Sequence, residues 1–266
     1  MEWKTTMRIF AAAVIAVGML AFASGCGKKD STAAPSGESK KLVMVTEATF
    51  PPYEYMENSK IVGIDPEIVG EIARNLGYTL VIQDMKFDSV ILAVQSGKAD
   101  IAASGITVTA DRRKQVNFTV PYVTAAQVII VPKKSTIKTP ADLKGKRIGV
   151  QQGTTGDNYV RKHICEPERY DNGALAVAAL RAGKVDAVVL DGEPSKVHVQ
   201  QYPNEIMLLP VALTQEEYAF ALNKNNTKLL KEFNDELIKM RASGRLQQIL
   251  DKYFYQKRQS DNQPVK

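Results

Sequence analysis

Four short stretches of the 266-residue chain carry side chains suited to holding a small charged molecule. They are Thr46-Glu47 with Phe50-Pro51-Pro52-Tyr53, Ser104-Gly105-Ile106-Thr107 running on to Arg112, Gln151-Gln152-Gly153-Thr154-Thr155, and Asp191. Arg112 can meet a carboxylate through two parallel N–H···O bonds, a geometry lysine cannot supply. Backbone N–H groups at Thr107 and at a helix start near Thr155 complete such a shell, because helix N-termini favour anions. Asp191 and the Thr107 hydroxyl can accept from an ammonium group. Three or four charge-assisted bonds of roughly 1.5–3 kcal/mol each suffice for micromolar binding, about −8 kcal/mol, after the cost of lost freedom. Phe50, Tyr53 and Phe87 are expected to pack around the ligand's side chain. Glu47 beside aromatic faces selects a cationic end, and it equally accepts from an amide. The expected ligand is therefore a zwitterion whose side chain is left open.

Other chemistries find little support. Two histidines and two cysteines, without a Cys-x-x-Cys or His-Glu-x-x-His spacing, give no metal signature, and no phosphate loop is present, so no cofactor is expected. Cys165 stands two residues from His163, but a catalytic Cys/His pair is made in space, and Glu166-Pro167-Glu168 reads as a loop. Aromatics at 7% and a spread-out net charge of +6, with no basic block, argue against nucleic-acid binding.

The stretches fall where alternating elements would place them. Strands are expected at 42–46, 78–82, 100–103, 147–150 and 185–190, and helices from Asp65-Pro66, at 87–95, 155–163 and 174–182, with Asp65 as an N-cap. The segment from Ser104 to Arg112 reads as a loop. Such alternation means an α/β fold with mostly parallel sheets flanked by helices. The chain also repeats itself: Gln95-Ser96-Gly97-Lys98-Ala99-Asp100 matches Arg181-Ala182-Gly183-Lys184-Val185-Asp186, and 41–46 matches 146–151. Two copies of a strand-helix-strand unit suggest two lobes. Ligands in such sheets sit outside the strand C-termini, where all four stretches fall.

The first 25 residues set Lys4 and Arg8 before an apolar run at 9–22, too short for the roughly 20 residues of a membrane span but suited to a signal peptide. Ala23-Ser24-Gly25-Cys26 follows. It resembles the lipobox of bacterial lipoproteins, with Ala23 where Leu is preferred, and implies lipid on Cys26. Residues 26–40, rich in Lys, Ser, Ala, Gly and Glu, read as a flexible tether. The expected location is the outer side of a cytoplasmic membrane, held by the lipid.

Over about residues 41–255 the sequence resembles the amino-acid-binding proteins of ABC transporters, with the two-lobed type II periplasmic-binding-protein fold. The resemblance rests on Gly63-Ile64-Asp65, Gly105-Ile106-Thr107-Val108-Thr109 with Arg112, Asp142-Leu143-Lys144-Gly145-Lys146, Gly153-Thr154-Thr155 and the closing Gly244-Arg245-Leu246 with Lys252-Tyr253-Phe254. It implies a discontinuous lobe 1 (41–121 and 219–257), lobe 2 (127–213), a two-segment hinge (122–126 and 214–218) and a tail (258–266). It also implies that Arg112, Thr107 and the Thr155 backbone hold an α-carboxylate. Gly105, Thr107 and Asp191 would hold the α-ammonium, and Glu47, Phe50 and Phe87 would face the side chain, with Ser104, Gln151 and Thr154 completing the lining. Gln151 and Leu190 stand where a glutamine-binding relative carries Lys and His, which favours a basic ligand, arginine or lysine, over glutamine, histidine or another polar amino acid. The expected protein is a monomer that closes on its ligand and hands it to a membrane permease, without enzymatic activity. The rival on the same fold is a periplasmic dehydratase, with Glu47 as general acid if burial raised its pKa.

Overall fold

The computed structural model describes residues 40–260, with side chains through 254. The expected signal peptide, the lipid-bearing Cys26 and the tether up to residue 39 lie outside the described residues, as do the last residues of the expected tail. Strands β1 (Lys40–Thr46), β2 (Thr49–Phe50), β3 (Glu54–Glu57) and β4 (Lys60–Val62) lead into α1 (Ile64–Asn75) and β5 (Tyr78–Asp84). Then come α2 (Phe87–Gln95), β6 (Ile101–Ala102), α3 (Ala110–Gln115), β7 (Asn117–Phe118), β8 (Val123–Ala125) and β9 (Gln127–Pro132). β10 (Ile148–Gln151), α4 (Thr155–His163), β11 (Glu168–Tyr170), α5 (Gly173–Arg181), β12 (Ala187–Asp191), α6 (Gly192–Gln201) and β13 (Ile206–Ala212) follow. β14 (Glu216–Tyr218), β15 (Ala221–Leu222), α7 (Thr227–Ala242) and α8 (Arg245–Ser260) complete the set, α8 running past the expected lobe end at 257.

Two five-stranded sheets organise these elements, in the orders β5-β1-β6-β15-β7 and β11-β10-β12-β9-β13. In each, one strand runs against the other four: β15 in the first and β9 in the second. Alternation along β1 sends Leu42 and Met44 to one face, against Ile68, Ile72 and Phe233, and Val45 to the other, against Val90 and Val94. β10 packs Ile148 and Val150 on Val160, while Val188 and Leu190 of β12 meet Val177 and Leu180. Both sheets are thus covered on both faces, as parallel strands require. β8 and β14, which precede β9 and β15 in the chain, pair antiparallel with each other, Glu216 opposite Ala125 and Tyr218 opposite Val123.

Two local expectations are corrected. Gly63, not Asp65, caps α1, at φ +132°, because a Cβ there would meet the Tyr53 carbonyl at 2.1 Å. Asp65 sits inside the first turn, and its carboxylate instead accepts from the Gly105 N–H (3.0 Å) and the Tyr122 hydroxyl (2.5 Å). The segment read as a loop up to Arg112 contains the start of α3, whose N-cap Thr109 accepts from the Arg112 N–H at 3.2 Å.

Candidate ligand-binding site

In both sheets the strand order turns at a central parallel strand: β1 has β5 on one side and β6 on the other, and β10 has β11 and β12. The loops leaving β1, β6, β10 and β12 meet around a cavity. Glu47, Phe50, Phe87, Ser104, Gly105, Thr107, Arg112, Gln151, Thr154, Thr155 and Asp191 line it. Eleven of the twelve candidates are therefore brought together, and the expectation for Tyr53 is corrected. Its ring is buried behind Phe50 (centroids 5.8 Å apart) and meets Tyr218 edge-on at 5.0 Å, because the turn carrying it is tied to α1 through its carbonyl.

Hydrogen bonds already made inside the protein limit what each group can offer. Arg112 donates to the Thr107 carbonyl (2.9 Å) and, from the other terminal nitrogen, to the Gly153 carbonyl (3.1 Å), with its guanidinium 5.3 Å from the Phe87 ring centre. Burial lowers its pKa, and the charges of Asp191 and Glu216 oppose that. The Ser104 hydroxyl donates to Glu54 and accepts from the Glu47 N–H. Gly105, at φ +50°, has its N–H on Asp65, so only its carbonyl is left. A Cβ at Gly105 would lie 2.7 Å from the Phe50 ring. Thr154 caps α4 and donates to the Gln151 carbonyl, which leaves the Thr155 N–H at the helix start.

Two carboxylates of the lining, Glu47 and Asp191, are pushed above their ordinary values. Burial raises the Glu47 pKa, which hydrogen bonds from Thr49 and Gln151 partly reverse and the Asp84 charge adds to. Gln151 Nε2 stands 3.2 Å from Glu47 Oε2. Asp191 is held up to about 6, first by burial and then by the Glu216 charge, against the Tyr218 and Gln127 hydrogen bonds and the Arg112 charge. Behind the lining, Glu54 is pushed well up by burial and by Asp65, itself raised to about 6 by burial.

Sequence reading missed Glu216 and Gln127. Glu216, 8% exposed, accepts from the Thr107 (2.7 Å), Thr155 (2.9 Å) and Thr214 (2.8 Å) hydroxyls. Gln127 donates to the Thr155 hydroxyl at 3.1 Å. Gln215-Glu216-Glu217 looks like a solvated polar run. The available signal was strand alternation, which puts Glu216 on the face of buried Tyr218.

Residues 42–256 match the model of the bacterial extracellular solute-binding proteins, family 3, and the chain belongs to that family. It is 28% identical over 249 residues to the L-cystine-binding protein TcyJ of Escherichia coli strain K12, covering 90% of this chain and 94% of that protein. It is 31% identical over 236 residues to the arginine-binding extracellular protein ArtP of Bacillus subtilis strain 168, covering 87% and 92%. Among solved structures, an ancestral arginine-binding protein bound to arginine superposes with a TM-score of 0.77 at 39% identity, covering 80% of this chain and 98% of that one. An ancestral arginine-binding protein bound to glutamine gives 0.76 at 38%, covering 80% and 97%. The two-lobed type II periplasmic-binding-protein fold follows from these matches.

Cys165 and His163 do not form a reactive pair. The thiol, half-buried, is pushed up by burial and Glu166, away from the thiolate a nucleophile needs, and the His163 ring lies 4.8 Å from Tyr159. Among the described residues no cluster of His, Cys, Asp and Glu could hold a metal ion, and no helix is long and apolar enough to cross a membrane.

Proposed function

We propose that this solute-binding protein captures a free amino acid, arginine or lysine, between its two lobes and delivers it to an ABC importer. One observation carries the ligand: the cavity lining holds two buried carboxylates, Glu47 and Asp191, and one guanidinium, Arg112, with buried Glu216 just behind it adding a third negative charge that reaches Arg112. An amino acid's own α-groups cancel, so only a cationic side chain reduces that excess of negative charge. Arg112 and the Thr155 N–H would take the α-carboxylate, and Asp191, Thr107 and the Gly105 carbonyl the α-ammonium. Glu47, which lines the cavity together with Phe50 and Phe87, would take the cationic end. The names of ArtP and of the ancestral protein support this reading.

A second reading, glutamine, is favoured by Gln151, whose amide already donates to Glu47. Binding without chemistry fits the lining better than a dehydratase does, since each charged group has a ligand charge to meet and no acid–base pair is left over. Residues 122–126 and 214–218 would form the hinge between lobe 1 (41–121 and 219–257) and lobe 2 (127–213), the antiparallel β8–β14 pair supporting that assignment. Bonds that join the two sheets' loops would hold the closed form: Arg112 to Gly153, Gln151 to Glu47, Gln152 to Asp88 and Lys86 to Asp171. Lipid on Cys26 would keep a monomer at the outer face of the cytoplasmic membrane. A thermal-shift screen against the proteinogenic amino acids tests the class: a ligand at 100 times its Kd adds about 2.7 kcal/mol. Midpoints rising with arginine or lysine support the proposal; no rise with any amino acid refutes it.

A further inference from the structure

Glu216 lies outside the cavity lining, on β14, yet its carboxylate reaches groups from both sheets. Thr107 comes from the loop after β6, and Thr155 opens α4 after β10. Both donate to the same oxygen, Oε2, at 2.7 and 2.9 Å, while Oε1 takes Thr214 at 2.8 Å. Thr214 in turn accepts from the Gln127 N–H at 2.9 Å. A hydroxyl has one proton and two lone pairs. Thr155 gives its one proton to Glu216 and accepts from Gln127, so the donor it has left for the cavity is its backbone N–H. Thr107 gives its proton to Glu216 and keeps its lone pairs, which makes it an acceptor on the cavity side.

We propose that Glu216 is a positioning residue for ligand capture, fixing Thr107 as an acceptor for the ligand's α-ammonium and tying the two halves of the cleft to the connecting strand. The proposal deepens the amino-acid reading and rests on it. A neutral donor at this position would let the Thr107 proton turn toward the cavity, where it opposes an ammonium. A carboxylate forbids that orientation, and its charge adds to that of Asp191 on the same side of the site.

The test is calorimetric titration of the wild-type protein, Glu216→Gln, Glu216→Ala and Thr107→Val with L-arginine and L-glutamine. Each ligand is paired with its analogue lacking the α-amino group, and the ligand-free thermal midpoint is recorded for every variant. Glu216→Gln is expected to weaken the amino acid's binding about tenfold and Glu216→Ala about thirtyfold or more, the scale of one charge-assisted bond. The analogue, weaker in the wild type, should change less than about twofold. Thr107→Val combined with Glu216→Gln should lose little beyond either alone, as expected of one shared path. Equal losses for amino acid and analogue, or a fall in the ligand-free midpoint with affinity unchanged, would overturn the proposal. If Glu216→Ala does not fold, the Gln and Val variants decide it. A wild-type protein that binds no amino acid sinks the underlying reading as well, whereas arginine binding that Glu216→Gln leaves intact sinks only this proposal.

Discussion

The β1 and β10 sheets are built on one frame and equipped differently at its rim. Met44 pairs with Ile101 and Val45 with Ala102 in the first; Ile148 pairs with Ala187 and Gly149 with Val188 in the second. The repeat noted in the sequence does the same work in both. Asp100 accepts from the Val43 N–H at 2.7 Å, and Asp186 from the Arg147 N–H at 2.9 Å, each after a glycine in the left-handed region (Gly97, Gly183). This register corrects the 41–46/146–151 match by one residue, Met44 taking the place of Ile148, and carried on to the strand tips it sets Glu47 in the place of Gln151 and Gly105 in the place of Asp191. At the tips the likeness ends. At these matched tips one sheet has its carboxylate after the central strand, Glu47, and a glycine after the neighbouring one, Gly105; the other has a neutral amide, Gln151, after the central strand and its carboxylate, Asp191, after the neighbour. A duplicated scaffold thus gives a site of two unlike halves, which suits a ligand with unlike ends.

Breaking the halves separately should have graded effects. The largest is expected for Arg112→Ala, which on the proposed reading leaves the ligand's carboxylate unpaired in a desolvated cleft: about 2–5 kcal/mol, or roughly 30- to 5000-fold in Kd by titration calorimetry, with Arg112→Lys recovering only part. Next comes Glu47→Gln, which equalises the two strand tips. It should weaken arginine and lysine about 10- to 100-fold and glutamine far less. Exchanging the tips in Glu47→Gln/Gln151→Glu should restore part of the preference for a basic ligand, since the charge remains within the cavity.

The pH profile reads the second half. Asp191, at about 6 without ligand, must be ionised to hold an ammonium. Above about pH 7 affinity should be flat; below about pH 6 binding first has to expel a proton, and Kd should weaken toward tenfold per pH unit. Glu47, also raised, adds in the same direction. Titrations at pH 5–8 in buffers of different ionisation heat should show proton release near pH 6. Asp191→Asn should abolish most binding and the release with it. The smallest effects belong to the shared frame: Asp100→Ala and Asp186→Ala should each cost about 1–2 kcal/mol in chemical denaturation, by similar amounts, with ligand affinity little changed.

What was legible in the sequence follows from which physical rule is local. Alternating apolar periodicity located the five strands and four helices it predicted within a residue or two, α2 and α4 at their observed ends, and left the remaining strands and α3, α6, α7 and α8 unread, while the Gly-Lys-x-Asp repeat disclosed the doubled frame. Strand C-termini then pointed to the loops that line the cavity. Asp65 misled because Asp-Pro is a good local cap, while its carboxylate is drawn away by the Gly105 N–H and the Tyr122 hydroxyl, distant in sequence. Tyr53 misled because a turn decides which aromatic faces the cavity and which faces the core, and Phe50 took the cavity. Glu216 stayed hidden since its partners, Thr107 and Thr155, are assembled only when both halves meet at β14.

The central claim, a site whose Glu47 half selects a cationic side chain, is tested most directly by titrating arginine, lysine and glutamine into the wild-type protein and into Glu47→Gln side by side. Tight arginine or lysine binding, weaker glutamine binding, and loss of that difference in Glu47→Gln are predicted. Glutamine as the tight ligand, or a preference for arginine that survives Glu47→Gln, would contradict the account.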